Sequence, residues 1–126
     1  MNGGLSMRKA LEDLIFIGDI KETYRLFGKD WTLKTLTTDD QLKATSSTRD
    51  YDNVSRLNAL KVALIARSLI EVNNNELKDL SEKIDFLGKL QQPLVDLLYE
   101  KYTDLQSKQD EALKLMNEEG NDDIKK

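Results

Sequence analysis

Apolar residues recur at helical spacing along most of this chain, with one interruption near its start. Between Met7 and Phe16, Leu11, Leu14 and Ile15 fall on one side and Arg8, Lys9, Glu12 and Asp13 on the other. That spacing predicts a short helix capped by Ser6 and stopped by Gly18. The pattern then changes. Ile20 to Phe27 and Trp31 to Leu36 read as two strands around Gly28-Lys29-Asp30, a three-residue, glycine-containing loop of the kind that closes a hairpin. Alternation puts Tyr24 and Leu26 on one face, and likewise Trp31 and Leu33.

Helical signals resume at Thr38, where Gln41 three residues on completes a capping box and Asp39 and Asp40 place negative charge in the first turn. The hydroxyl-rich run Thr45-Ser46-Ser47-Thr48 competes for backbone hydrogen bonds, so a projecting loop is expected from Thr45 to Asp52. The strongest element follows. From Asp52 or Asn53 to about Ile70, residues Val54, Leu57, Leu60, Val62, Leu64, Ile65, Leu69 and Ile70 cover well over half the circumference of a helix. Asn73-Asn74-Asn75 then marks a turn, because Asn tolerates left-handed backbone.

Asp79 with Glu82 opens a further helix through Ile84, Phe86, Leu87 and Leu90. Pro93 either starts a new helix or kinks a continuing one, and a new start is favoured because its missing donor is harmless in a first turn. Apolar spacing continues through Leu94, Leu97, Leu98, Tyr102 and Leu105, then thins through Ala112, Leu113 and Met116 until Gly120. A helix from Pro93 to Glu119 is about 40 Å long at ~1.5 Å per residue, more than a domain of this size spans. Its distal half should overhang.

The expected fold is therefore mainly α: a helical bundle with a small N-terminal β-hairpin at about residues 20–36 and a long C-terminal helix. Residues 1–119 form a single helical domain and residues 120–126 a flexible polar tail. One core is consistent with 126 residues, and a single Pro with six Gly leaves few forced breaks.

A net charge of −4 with no concentrated basic face argues against nucleic acid as a partner. No apolar run reaches the roughly 20 residues needed to cross a bilayer, and Glu12 and Asp13 break the stretch that a secretory signal would need. Neither a membrane nor a secretory route is expected. The absence of cysteine excludes disulfides and suits a reducing compartment.

The chain holds no His and no Cys, which removes the usual general base, the thiol nucleophile and nearly all transition-metal ligand sets. Asp39 with Asp40 and Glu118 with Glu119 are adjacent carboxylates, but neighbours on a helix point in different directions and read as helix-end charge. No catalytic residue, metal site or cofactor is expected. What remains is contact surface. Trp31, the single tryptophan, suits either a small core under the hairpin or a binding hot spot. Tyr99 and Tyr102, three apart on the last helix, suit either an exposed strip or partial core burial. Leu105, Leu113 and Met116 make a thin apolar stripe flanked by Lys108, Asp110, Glu111 and Lys114, which suits either docking in a groove or self-association, or a solvated, fraying helix end. The six candidate protein-binding residues are thus Trp31, Tyr99, Tyr102, Leu105, Leu113 and Met116.

The stretch Phe27-Gly28-Lys29-Asp30-Trp31-Thr32-Leu33-Lys34-Thr35-Leu36-Thr37-Thr38-Asp39-Asp40-Gln41 resembles small bacteriophage tail proteins, the group of tail assembly chaperones and small baseplate or hub components. In that group an aromatic hairpin leads through a Leu-Thr step into an acidic-capped helix. The Arg56 to Val72 segment with its Asn-rich turn is similar too, so the likeness covers roughly residues 20–105. The resemblance implies a non-enzymatic role in tail morphogenesis, in the host cytoplasm during assembly or in the virion tail or baseplate, with tape measure, tail tube or baseplate subunits as partners. The charged distal helix departs from the pattern and suits an attachment arm. A second reading, a small adaptor that dimerises through its last helix, follows from the apolar stripe alone.

Overall fold

The computed structural model describes the backbone of residues 17–125 and side chains as far as Glu118, and these described residues form two hairpins and four helices. The helix expected over Met7–Phe16 lies outside the described residues. The elements run β1 (Lys21–Leu26), β2 (Lys29–Lys34), α1 (Thr38–Ser47), α2 (Asn53–Ser68), β3 (Leu69–Val72), β4 (Asn75–Glu76), α3 (Leu80–Gly88) and α4 (Gln92–Lys125). Each hairpin is thus followed by two helices. The mainly α class holds, but the expected two-stranded hairpin is half of a four-stranded antiparallel sheet in the order β1-β2-β3-β4.

Both hairpins close through two-residue loops with left-handed backbone at both positions. Leu26 pairs with Lys29 across Phe27 (φ 53°) and Gly28 (φ 74°), and Val72 pairs with Asn75 across Asn73 (φ 51°) and Asn74 (φ 66°). This geometry matches the twist of the flanking strands and normally recruits Gly or Asn. The first loop is therefore Phe27-Gly28, not the three residues from Gly28. Asn73 also joins the hairpins: its Oδ1 accepts from the Asp30 amide (2.7 Å), and its own amide donates to the Asp30 carbonyl (2.8 Å).

Three boundaries differ from the sequence expectation, each for a local reason. The capping residue of α1 is Thr37, one position earlier: its Oγ1 accepts from the Asp40 amide (3.1 Å), and Asp40 Oδ2 accepts from the Thr37 amide (3.2 Å). The hydroxyl run does not break α1 at Thr45. Thr45 donates back to the Gln41 carbonyl and Ser47 to that of Ala44, so these groups decorate the helix instead of unwinding it. Finally, α2 stops at Ser68 and passes directly into β3, because Leu69 to Val72 find an open partner edge on β2, with Trp31 opposite Val72 and Leu33 opposite Leu69. Buried Ser68 marks this junction, its Oγ donating to the Lys34 carbonyl at 2.6 Å.

The core is drawn from β2 and every helix. Leu33, Ile65, Leu69, Leu87, Leu98 and Leu105 are each 0% exposed, with Trp31, Ala44, Ala66 and Tyr102 around them. In β1, Lys21, Thr23 and Arg25 alternate with half-buried Glu22, Tyr24 and Leu26, the pattern of a sheet packed on one face and solvated on the other. Only the second half of α2 is interior. Ala63 to Ala66 are buried, whereas Val54 is 89% and Leu57 58% exposed.

Pro93 stands in the first turn of α4, where the Gln91 carbonyl receives the Leu94 and Val95 amides. The 34-residue α4 is about 50 Å long at ~1.5 Å per residue and passes through Gly120 instead of ending there. Its contact with the body also reaches beyond Leu105. Lys108 Nζ donates to both oxygens of Glu22 (2.8 and 2.7 Å), which holds that carboxyl below the usual range. Gln109 donates to the Gly18 carbonyl (2.7 Å). From Lys114 to Glu118 every side chain is exposed.

Candidate functional site: an apolar groove beside the first hairpin

The inner face of the sheet is not fully covered. Near the two hairpin loops, α3 stands off from β2 and β3 and leaves a half-open groove of about 650 Å³. Trp31 from β2 and Phe86 from α3 form its centre, their rings stacked at 6.2 Å between centroids with planes 26° apart. The indole Nε1 donates to the Leu26 carbonyl at 3.1 Å, which fixes the ring and leaves its apolar surface toward α3. Phe27 stands at one rim, 72% exposed, and Val72, Leu77, Leu90 and Leu94 complete the apolar lining.

Charged groups of both signs border this surface in equal numbers. Lys29, Lys78 and Lys83 face Glu76, Asp79 and Glu82, of which Lys78 and Glu76 pair at 3.4 Å. Asp79 is committed to capping α3 through the Glu82 amide. Lys83 is the exception among charged residues, being 8% exposed. Its Nζ donates to the Leu69 carbonyl (2.9 Å) at the C-terminal end of α2, where a helix favours positive charge. Burial, with repulsion from Lys34 added, lowers its pKa. Lys83 therefore ties α3 to the end of α2 and lends its stem to the groove wall.

The six candidate binding residues do not converge. Trp31 is 3% exposed and lies in the groove. Tyr102 (5%) and Leu105 (0%) are core residues, which removes them from any stripe that a partner could reach. Tyr99 is half-buried, 6.0 Å from the Tyr102 ring and beneath Lys61 Nζ at 5.5 Å. Leu113 packs beside Gly18, where a Cβ would approach its Cδ1 to 3.2 Å. Met116 is 52% exposed. The apolar stripe assigned to the distal helix is thus mostly contact with the body, and only its end is free.

Sequence reasoning passed over Phe27, Phe86, Leu90 and Leu94. Phe27 alone carried a local signal, since it precedes Gly at the tip of a strand pair, where a bulky residue in left-handed backbone is uncommon. The other three look like ordinary core positions until the gap between α3 and the sheet is known. Among the described residues no three acidic side chains gather as a metal site, and no helix is long and apolar enough to cross a membrane. No family model, curated protein or solved structure matches this chain.

Proposed function

We propose that this chain is a bacteriophage tail morphogenesis protein that acts by binding other proteins and not by catalysis. It serves either as a small tail or baseplate component or as a tail assembly chaperone. The observation that carries the binding reading is the groove: a preformed apolar cleft with a stacked Trp31–Phe86 pair at its centre and an exposed Phe27 at its rim. Such a surface suits an apolar segment of a partner, here a tape measure, tail tube or baseplate subunit. The tail assignment rests on the likeness over Phe27 to Gln41 and the Arg56 to Val72 region. The absence of His and Cys leaves contact as the favoured mode of action.

Co-expression with each tail protein of the same genome tests the reading. The wild-type chain should co-purify with one of them, and Phe86→Ala, checked for folding by circular dichroism, should release it. Failure to associate with any tail protein sinks the assignment. Mass spectrometry of purified virions then separates the two roles, because a structural subunit remains in the particle and a chaperone does not.

A further inference from the structure

The N-terminal part of the chain reaches the body beside the exposed end of α4. Gly18 is held there from two sides: its carbonyl accepts from Gln109 (2.7 Å) and from Thr35 Oγ1 (3.1 Å), and a Cβ on it would approach Leu113 Cδ1 to 3.2 Å. Three contacts set the direction of the chain along α4. Lys101 Nζ lies over the Tyr24 ring (5.8 Å), Lys108 donates to Glu22, and Gln109 and Leu113 meet Gly18. Residue numbers fall on one side as they rise on the other, so the incoming chain runs antiparallel to α4. Continued in that direction, the residues before Gly18 come level with the turns of α4 after Leu113.

Those turns carry an apolar stripe. Leu105, Gln109, Ala112 and Met116 follow at helical spacing, so the face that packs on the body continues past its last contact; Ala112 and Leu113 are half-buried and Met116 is 52% exposed. The segment before the described residues has a matching pattern. Met7, Ala10, Leu11 and Leu14 stand at i, i+3, i+4 and i+7, and Ile15 adds to the same side. Gly18 has φ 86°, the left-handed backbone with which glycine closes a helix ending just before it. Lengths agree as well. At ~1.5 Å per residue a helix over residues 7–16 is about 15 Å long, and α4 extends about 18 Å from Leu113 to Lys125. Charge order favours the same direction. Outward from Gly18 come acidic Asp13 and Glu12, then basic Lys9 and Arg8; outward from Leu113 come Lys114, then Glu118, neither of these two in an ion pair among the described residues. Antiparallel packing sets opposite charges level, whereas reversing the segment would set Lys9 and Arg8 beside Lys114.

We propose that residues 7–16 form a helix that packs antiparallel on the end of α4 of the same chain, with Leu11 and Leu14 over Leu113 and Met116. The overhang of α4 is then one half of a two-helix arm, and its apolar stripe is closed without a second copy. The pairing uses neither Trp31 nor Phe86, so it stands or falls apart from partner binding in the groove.

The chain holds no cysteine, so the pair Leu14→Cys and Met116→Cys reports the contact directly. Oxidation of the folded protein should give a disulfide within monomers, while Leu14→Cys with Val54→Cys, near the opposite end of α4, should give none. Hydrogen exchange is the second measurement. Amides of α4 after Leu113 should exchange at least about tenfold slower in the wild type than in Leu14→Asp, because a frayed helix end is poorly protected and the buried leucine holds it. Fluorescence of Trp31 confirms that the body of each variant stays folded. Met116→Asp should speed exchange across residues 7–16 in return. Absence of the Leu14–Met116 disulfide, or equal exchange in wild type and Leu14→Asp, overturns the proposal. A disulfide formed only between molecules, or protection that rises with protein concentration, assigns the stripe to a second copy and overturns it as well.

Discussion

Replacing Phe27 with Asn should leave the fold as stable as before or stabilise it, while weakening partner binding. Phe27 holds φ at 53°, a region that costs a residue with a large side chain about 1–2 kcal/mol and that Asn enters routinely. Against that gain stands the buried share of the ring. With 72% of the residue exposed, that share is about 50 Å² of an aromatic's ~200 Å², worth about 1 kcal/mol. The two effects leave a net change between nothing and a gain of about 1 kcal/mol, or up to about 4 °C in melting temperature. Urea unfolding followed by fluorescence of the single tryptophan measures it, since Trp31 lies in the core cluster. Affinity for the proposed groove partner, by contrast, should drop at least about tenfold if Phe27 is a contact residue. A stability loss above about 1 kcal/mol would show that Phe27 serves the fold and refute the reasoning. Unchanged affinity would remove it from the site.

Three further outcomes follow from the packing. Leu105→Ala should cost about 3–4 kcal/mol in urea unfolding, the usual loss for a fully buried leucine; a surface-like loss under about 0.5 kcal/mol would contradict its burial. Thr37→Ala should cost about 1 kcal/mol and Thr38→Ala much less, because only Thr37 caps α1; equal losses would displace the cap. Stability should fall as pH rises from 10 to 12, because burial pushes the Tyr102 hydroxyl up to about 12 while the unfolded chain ionises it near 10. The stability that Tyr102 contributes is intact below pH 10 and lost through its folded value, about 2–3 kcal/mol at most. Tyr102→Phe should flatten that part of the profile measured by alkaline unfolding, and an unchanged slope would exclude Tyr102 as its source.

How far the sequence shows this fold depends on the range over which each feature is decided. The Asp79 cap and the restart at Pro93 are local matters of donors and acceptors, and both are visible in a few residues. The second hairpin is not. Leu69 and Ile70 continue the apolar rhythm of α2 without a Gly or Pro, and only the free edge of β2, more than thirty residues earlier, turns them into a strand. Asn73 and Asn74 gave the loop but not its purpose. The burial of Leu105 is hidden for a similar reason. A thinning stripe looks the same whether it borders solvent or a sheet, and Lys108 and Gln109, read as polar flanks, are the groups that hold α4 to Glu22 and Gly18.

The residues that defeat local reasoning lie at the groove rim and at two exposed helix ends. A sequence that only had to fold would place Gly or Asn where Phe27 stands and polar residues where Val54, Leu57 and Met116 lie. Each of these choices conflicts with the local rule at its position, and the conflicts fall at three separate places: a groove rim, the tip of α2 and the end of α4. Strain or exposure at one site is common in folded chains. A variant lacking residues after Leu113 should keep its fold and the proposed groove partner, because Lys108, Gln109 and Leu113, the last links to the body among the described residues, remain in place. Loss of that partner in a folded variant would mean that the end of α4 belongs to the same binding site.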